Sequence, residues 1–135
     1  MVNRIYLDTS IAVHALRGTP EAESWFDQIA VSNQHELVSS RLLQTELTRV
    51  LRRDGLPVQH REVVLQSVAQ TPITEAILTT AEALTDRLKT LDAIHLASAL
   101  AFGGATTIAT HDQALKAAAD TVGLNWTDPL DSVDS

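Results

Sequence analysis

Four acids stand where a carboxylate needs a reason. Asp8 follows the apolar run "RIYL", Glu46 lies within "RLLQTELTRVL", Asp92 opens "LDAIHLASAL", and Asp112 follows "TTIATH". Taken singly, each has a structural explanation. Asp8 could cap the helix begun by "TSIAV", because a side-chain oxygen there can accept from an orphan backbone N–H. Glu46 sits about 60° from the centre of the stripe made by Leu43, Leu47 and Val50. There an i,i+3 pair with Arg49 would be worth only a few tenths of a kcal/mol. Asp92 could cap its own helix. Taken together they are harder to explain. Like charges sharing a small volume repel, and a cation offsets that repulsion. An all-oxygen donor set, in a chain with no cysteine and no His pair at metal spacing, suits Mg²⁺ or Mn²⁺ rather than Zn²⁺. Ions held in this way typically act on phosphates.

The elements around these acids alternate between strand and helix. "RIYL" leads into "TSIAVHALRG", then the helix "PEAESWFDQIAVSNQ"; "ELVSS" leads into "RLLQTELTRVLRRDG". "PVQHREVVLQSVAQ" reads as helix, and "TPITEAILTTAEALTDRL" as a brief extended piece followed by a helix. "TLDAIHLASALAFGG" is a helix, "ATTIAT" a strand, "DQALKAAADTVG" a helix and "NWTD" an edge strand. This alternation implies parallel βαβ units in an α/β sandwich with both sheet faces covered. In such sheets the site lies beyond the carboxyl ends of the strands, where Asp8 and Asp112 both fall. Glu46 and Asp92 lie on helices that must pack on that sheet. "LDAIHLASAL" is apolar in nearly every direction; Asp92, His95 and Ser98 share its one polar stripe, and His95 reads as a satisfied core histidine. Trp25 and Phe26 read as core or interface.

The 135 residues suit one domain spanning 1–135. The absence of cysteine excludes disulfides and thiolate metal sites. No secretory leader pattern opens the chain, and the longest apolar segment is too short to span a bilayer, so a soluble cytoplasmic protein is expected. A net charge of −7 excludes a surface coated in positive charge for nucleic acid but leaves room for a local patch. Eight of the ten basic residues are arginine, and Arg49, Arg52 and Arg53 are clustered. A solvated helix face is the commoner meaning of such a cluster.

The segments "YLDTSI", "SRLLQTELTRVL", "LDAIHLASAL" and "TIATHD" together resemble the PIN-domain ribonucleases and, among them, the VapC-type toxins of bacterial toxin–antitoxin pairs. Order and spacing match across essentially the whole chain. The resemblance implies a PIN-like three-layer sandwich with a mostly parallel central sheet. It implies that Asp8, Glu46, Asp92 and Asp112 are the catalytic acids that hold Mg²⁺ or Mn²⁺, with Thr9, Ser10 and Thr110 as supporting hydroxyls. It further implies an endoribonuclease that cuts structured RNA of the tRNA or rRNA class and blocks translation. An antitoxin covering the active site would restrain it, and the toxin would be a homodimer with no membrane partner. RNA contacts are expected among Arg41, Arg49, Arg52, Arg53, Arg87 and Lys89. His111 occupies a variable family position and is given no role. The alternative is a catalytically silent PIN-like module that binds RNA or protein; four intact acids argue against it. A phosphatase with an aspartyl nucleophile would want a second acid two residues after Asp8, where Ser10 stands. A phosphoacceptor signalling domain would want an acidic pair near the N-terminus.

Overall fold

The computed structural model describes residues 3–131. Strands β1 (Asn3–Leu7), β2 (His35–Ser40), β3 (Ala69–Thr71), β4 (Thr106–Ala109) and β5 (Asn125–Thr127) form one sheet in the order β3-β2-β1-β4-β5. Every pairing is parallel. Helices α1 (Thr9–Leu16) and α2 (Pro20–Ala30) join β1 to β2; α3 (Arg41–Arg53) and the single turn α4 (Glu62–Leu65) join β2 to β3. Helices α5 (Glu75–Ala83) and α6 (Thr90–Phe102) cross to β4, and α7 (Gln113–Val122) leads to β5.

The central strand divides the core, because successive side chains of a strand face opposite ways. Ile5 and Leu7 pack with Ile11, Phe26, Leu43, Leu47, Leu51 and Val64, so α1 to α4 cover one face. Tyr6 packs with Leu96, Ala99, Ile108 and Leu115, so α6 and α7 cover the other. This is the three-layer α/β sandwich expected from the alternation. Chain direction across the sheet reverses at β1. The chain first steps outward through β2 and β3, then returns to β4 on the other side of β1. Right-handed crossovers then require the two sets of helices to lie on opposite faces. The crevice between the carboxyl ends of β1 and β4 is the switch point where such sheets bind ligands.

One expected element is wrong. "PVQHREVVLQSVAQ" is not a continuous helix: it is a 3-10 turn at Val58–Arg61, then α4, then β3, which starts at Ala69. Strand β3 has three residues and no apolar alternation, so its sequence carries no strand signal. Pairing with β2, Val38 opposite Ala69 and Ser40 opposite Thr71, decides its conformation. Helix α5 also stops at Ala83, short of "LTDRL". The expected stop after α6 is real: Gly103 takes a φ of 61°, a conformation that costs side-chain-bearing residues energy. Among the described residues no helix is long and apolar enough to cross a membrane.

Candidate active site

Asp8 stands at the junction of β1 and α1 as the helix N-cap, yet its carboxylate makes no capping bond. Its backbone carbonyl accepts from Ile11 and Ala12 N–H instead. The side chain is almost wholly buried, and its Oδ2 accepts from Ser10 Oγ at 2.7 Å and from Thr110 Oγ1 at 2.8 Å. Thr110 follows β4, so this bond ties the two strand ends together across the switch point. His111 N–H donates to Ser10 Oγ at 3.1 Å, which fastens the next residue of the same loop. Oδ1 is left with no hydrogen bond among the described residues; His95 Nε2 lies 3.9 Å from it.

Glu46 lies one and a half turns into α3. Its Oε1 accepts from Thr9 Oγ1 at 2.5 Å and from His95 Nε2–H at 2.7 Å. The ion pair with Arg49 is not formed. Burial raises the Glu46 pKa, but the His95 and Thr9 hydrogen bonds and the His95 charge outweigh it, and the net shift is downward. Asp112 does cap: its Oδ1 accepts from Leu115 N–H at 2.9 Å at the start of α7. Asp92 does not. Lys89 is the N-cap of α6, and Asp92 sits in the first turn, where the helix dipole favours an acid. Burial, then the charges of Asp112 and Asp8, push the Asp92 carboxyl up to about 6, with Glu46 adding to the effect and His95 opposing it. Asp92 therefore feels the charges of the other three acids.

Thr9, Ser10 and Thr110 each bond one of these acids: Thr9 bonds Glu46, and Ser10 and Thr110 bond Asp8. His95 is the residue whose part was missed. It is buried and hydrogen-bonded, as a core histidine should be, but its partners belong to the site: Glu46, Thr9 at 3.1 Å, and Tyr6 Oη at 2.8 Å from Nδ1. Burial works against its charge, yet the Glu46 hydrogen bond, the neighbouring Tyr6 hydroxyl and the charges of Asp8 and Glu46 prevail and hold its pKa at about 10. The i,i+3 spacing of Asp92 and His95 was the available signal, and it is too common to be decisive. His111 also has a bond, from Nδ1 to Asp128 Oδ2 at 2.9 Å, beside the Lys116 ammonium at 2.7 Å.

Oxygen donors without thiolates fit Mg²⁺ or Mn²⁺ chemically. Asp8, Glu46 and Asp112 are each fastened through one oxygen, and the Asp92 pKa owes nothing to a hydrogen bond. Among the described residues no three His, Asp or Glu side chains are grouped closely enough to cage an ion. That spacing is compatible with Mg²⁺, which commonly keeps several waters and takes only one or two carboxylates along with substrate phosphates.

The basic residues divide into two sets. Arg4, Arg17, Arg61 and Lys116 pair with Glu36, Asp54, Glu62 and Asp128. The six candidates Arg41, Arg49, Arg52, Arg53, Arg87 and Lys89 are exposed, and none is in an ion pair among the described residues. Arg41 opens α3 and bonds Thr45, while Arg87 and Lys89 precede α6. Arg41 directly follows the end of β2, and Lys89 lies three residues before Asp92. Arg53 lies seven residues past Glu46, about 10 Å along the helix axis.

Comparison with known proteins gives the family and the fold. A model of the PIN domain matches residues 5–121. Over 127 residues the chain is 34% identical to Ribonuclease VapC35 of Mycobacterium tuberculosis, covering 89% of this chain and 93% of that one. Among solved structures, a toxin–antitoxin complex from Klebsiella pneumoniae aligns with a TM-score of 0.72 at 20% identity, covering 94% of this chain and 98% of the other. VapBC2 from Rickettsia felis, bound to a DNA fragment of its promoter, aligns at 0.74 and 15%, covering 93% and 98%. At these identities the structures speak for the fold.

Proposed function

For a chain that belongs to the PIN domain family, in its VapC branch, we propose the activity of a Mg²⁺- or Mn²⁺-dependent endoribonuclease toxin. The observation that carries the proposal is Asp8 held at the switch point by Ser10 and Thr110, with the Asp92 carboxyl pushed up to about 6 by burial and by the nearby charges of Asp112, Asp8 and Glu46. When bound, the ion supplies positive charge to a phosphodiester and an activated water for in-line displacement. Asp8, Asp92 and Asp112 would hold it, directly or through water. Glu46 would hold a second ion or orient the attacking water with the oxygen that Thr9 and His95 leave unused. Ser10 and Thr110 fix Asp8; the backbone of α7 fixes Asp112. No side-chain nucleophile is required.

The unpaired cations Arg41, Arg87 and Lys89 are candidates for the RNA backbone nearest the crevice, with Arg49, Arg52 and Arg53 extending that track. Structured RNA of the tRNA or rRNA class is the proposed substrate, cut in the cytoplasm by a homodimer. The restraining partner would be an antitoxin that presents an Arg or Lys to the four acids, because a charge-assisted pair to a carboxylate cluster is strong and stands in for the cation. Inducing the chain without its antitoxin and sequencing new RNA 5′ ends tests this. Recurrent cuts at a few sites in tRNA or rRNA are expected; an unchanged pattern of 5′ ends would overturn it.

A further inference from the structure

Glu46 and His95 come from opposite layers of the sandwich. Helix α3 packs on the face that receives Ile5 and Leu7, and α6 on the face that receives Tyr6. Their side chains meet beyond the end of the sheet, 2.7 Å apart. Three hydrogen bonds fix the imidazole and its acid there: one between Nδ1 and Tyr6 Oη, one from Nε2–H to Glu46 Oε1, and one from Thr9 Oγ1–H to that same Oε1. The Tyr6 and His95 rings also meet edge-on, with centroids 5.7 Å apart. Tyr6 and His95 are essentially inaccessible to solvent. Tyr6 satisfies only one of the two ring nitrogens, so the second nitrogen's partner, a partly exposed glutamate from the opposite layer, is the informative contact.

We propose that His95, steadied by Tyr6, is the positioning residue for Glu46, holding one carboxylate oxygen so that the other faces ion or water in a single orientation. The proposal rests on the metal-nuclease reading above. A glutamate on a helix surface has three side-chain torsions to fix, and a carboxylate held on one oxygen by two donors has little freedom left. Groups that orient a metal-binding side chain in this way typically change metal affinity or activity 10–100-fold when removed. A histidine that only filled the core would change stability and leave the affinity of the folded protein for metal as it was.

The test uses the full chain as parent, His95→Gln, His95→Leu and Tyr6→Phe, with Mn²⁺ titrated and free Mn²⁺ read by electron paramagnetic resonance, beside RNA cleavage at each Mn²⁺ concentration. His95→Leu should weaken Mn²⁺ binding by about 10–100-fold and raise the Mn²⁺ needed for half-maximal cleavage by the same factor. His95→Gln, whose amide can still donate to Glu46, should recover part of that loss. Tyr6→Phe, nearly isosteric, should show a smaller loss in the same direction and carries the test where the leucine variant fails to fold. Ring ¹⁵N spectra without metal supply an independent arm: Glu46→Gln should shift the His95 Nε2 resonance and Tyr6→Phe the Nδ1 resonance. Parent-like Mn²⁺ affinity in folded Tyr6→Phe and His95→Gln, or unmoved ring resonances, overturns the role of His95 and leaves the nuclease reading intact. A parent that binds no Mn²⁺, with the ring resonances moving as expected, overturns the nuclease reading and the positioning role built on it.

Discussion

Replacing Asp92 with asparagine should stabilise the metal-free protein near neutral pH and have no such effect in acid. The folded carboxyl titrates at about 6 where an ordinary aspartate has 3.8. Between those values the folded chain binds more protons than the unfolded one, so stability falls as pH rises through that window. The full displacement would be worth about 3 kcal/mol at 1.36 kcal/mol for each tenfold change. Asp92 is only half-buried, and solvent screening leaves roughly half, ~1.5 kcal/mol. Its charge also lies in the first turn of α6, where the dipole returns ~0.5 kcal/mol. The net gain for Asp92→Asn at pH 7.5 in chelator is therefore about 1 kcal/mol, or about 4 °C in melting temperature for a chain of this size. At pH 4 parent and variant should melt together to within about 1 °C, the dipole contribution having gone with the charge. Thermal melts at both pH values, in chelator, measure this directly. A variant less stable than parent at pH 7.5 would show that Asp92 is not crowded by its neighbours, and the convergence of the four acids would lose its energetic support.

Three further outcomes rest on the same contacts. Asp8→Asn keeps an oxygen for Ser10 and Thr110 and should melt within about 2 °C of parent in chelator. Asp8→Ala leaves the buried Thr110 hydroxyl without the carboxylate that accepts its proton and should cost about 1–3 kcal/mol; urea unfolding of both measures this, and an Asp8→Ala variant as stable as Asp8→Asn would contradict it. Asp128→Ala should cost about 3 kcal/mol, the lower end for a broken buried pair, because Lys116 stays buried without its carboxylate; a loss under 1 kcal/mol by urea unfolding would contradict this. Neutralising Arg41 or Lys89 should weaken RNA binding and lower the slope of log affinity against log salt by about 1 for each phosphate no longer neutralised, read by fluorescence anisotropy on an uncleaved RNA.

Much of the fold was legible because parallel strands buried on both faces show as apolar runs. "RIYL" and "TTIA" are two of them, and their ends mark the crevice in the sequence itself. Strand β3 was not legible: "AQT" has neither alternation nor a β-branched run, and it becomes a strand only by pairing with Val38 to Ser40. The same contrast holds in the site. Asp8 and Asp112 could be placed from topology alone, since each follows a strand that ends at the switch point. Glu46 was ambiguous, because helical phase put it at the margin of a buried stripe without saying whether Arg49 or something across the sheet would meet it. The partner was His95, 49 residues away in sequence, and no local pattern reports a contact of that range. Asp92 reads as a cap because an acid at the start of an apolar run usually is one; the chain instead starts the helix at Thr90 with Lys89 before it.

RNA cleavage by the purified chain, measured with Mg²⁺ or Mn²⁺ and again in excess chelator, for parent and for Asp8→Asn, tests the central claim most directly. Metal and an intact Asp8 should both be needed: discrete cuts by the parent in metal, and at least a hundredfold less cleavage in chelator or in the variant. Cleavage that persists in chelator, or that Asp8→Asn retains at the parent rate while folded, would contradict the assignment of these four acids to a metal-dependent nuclease site.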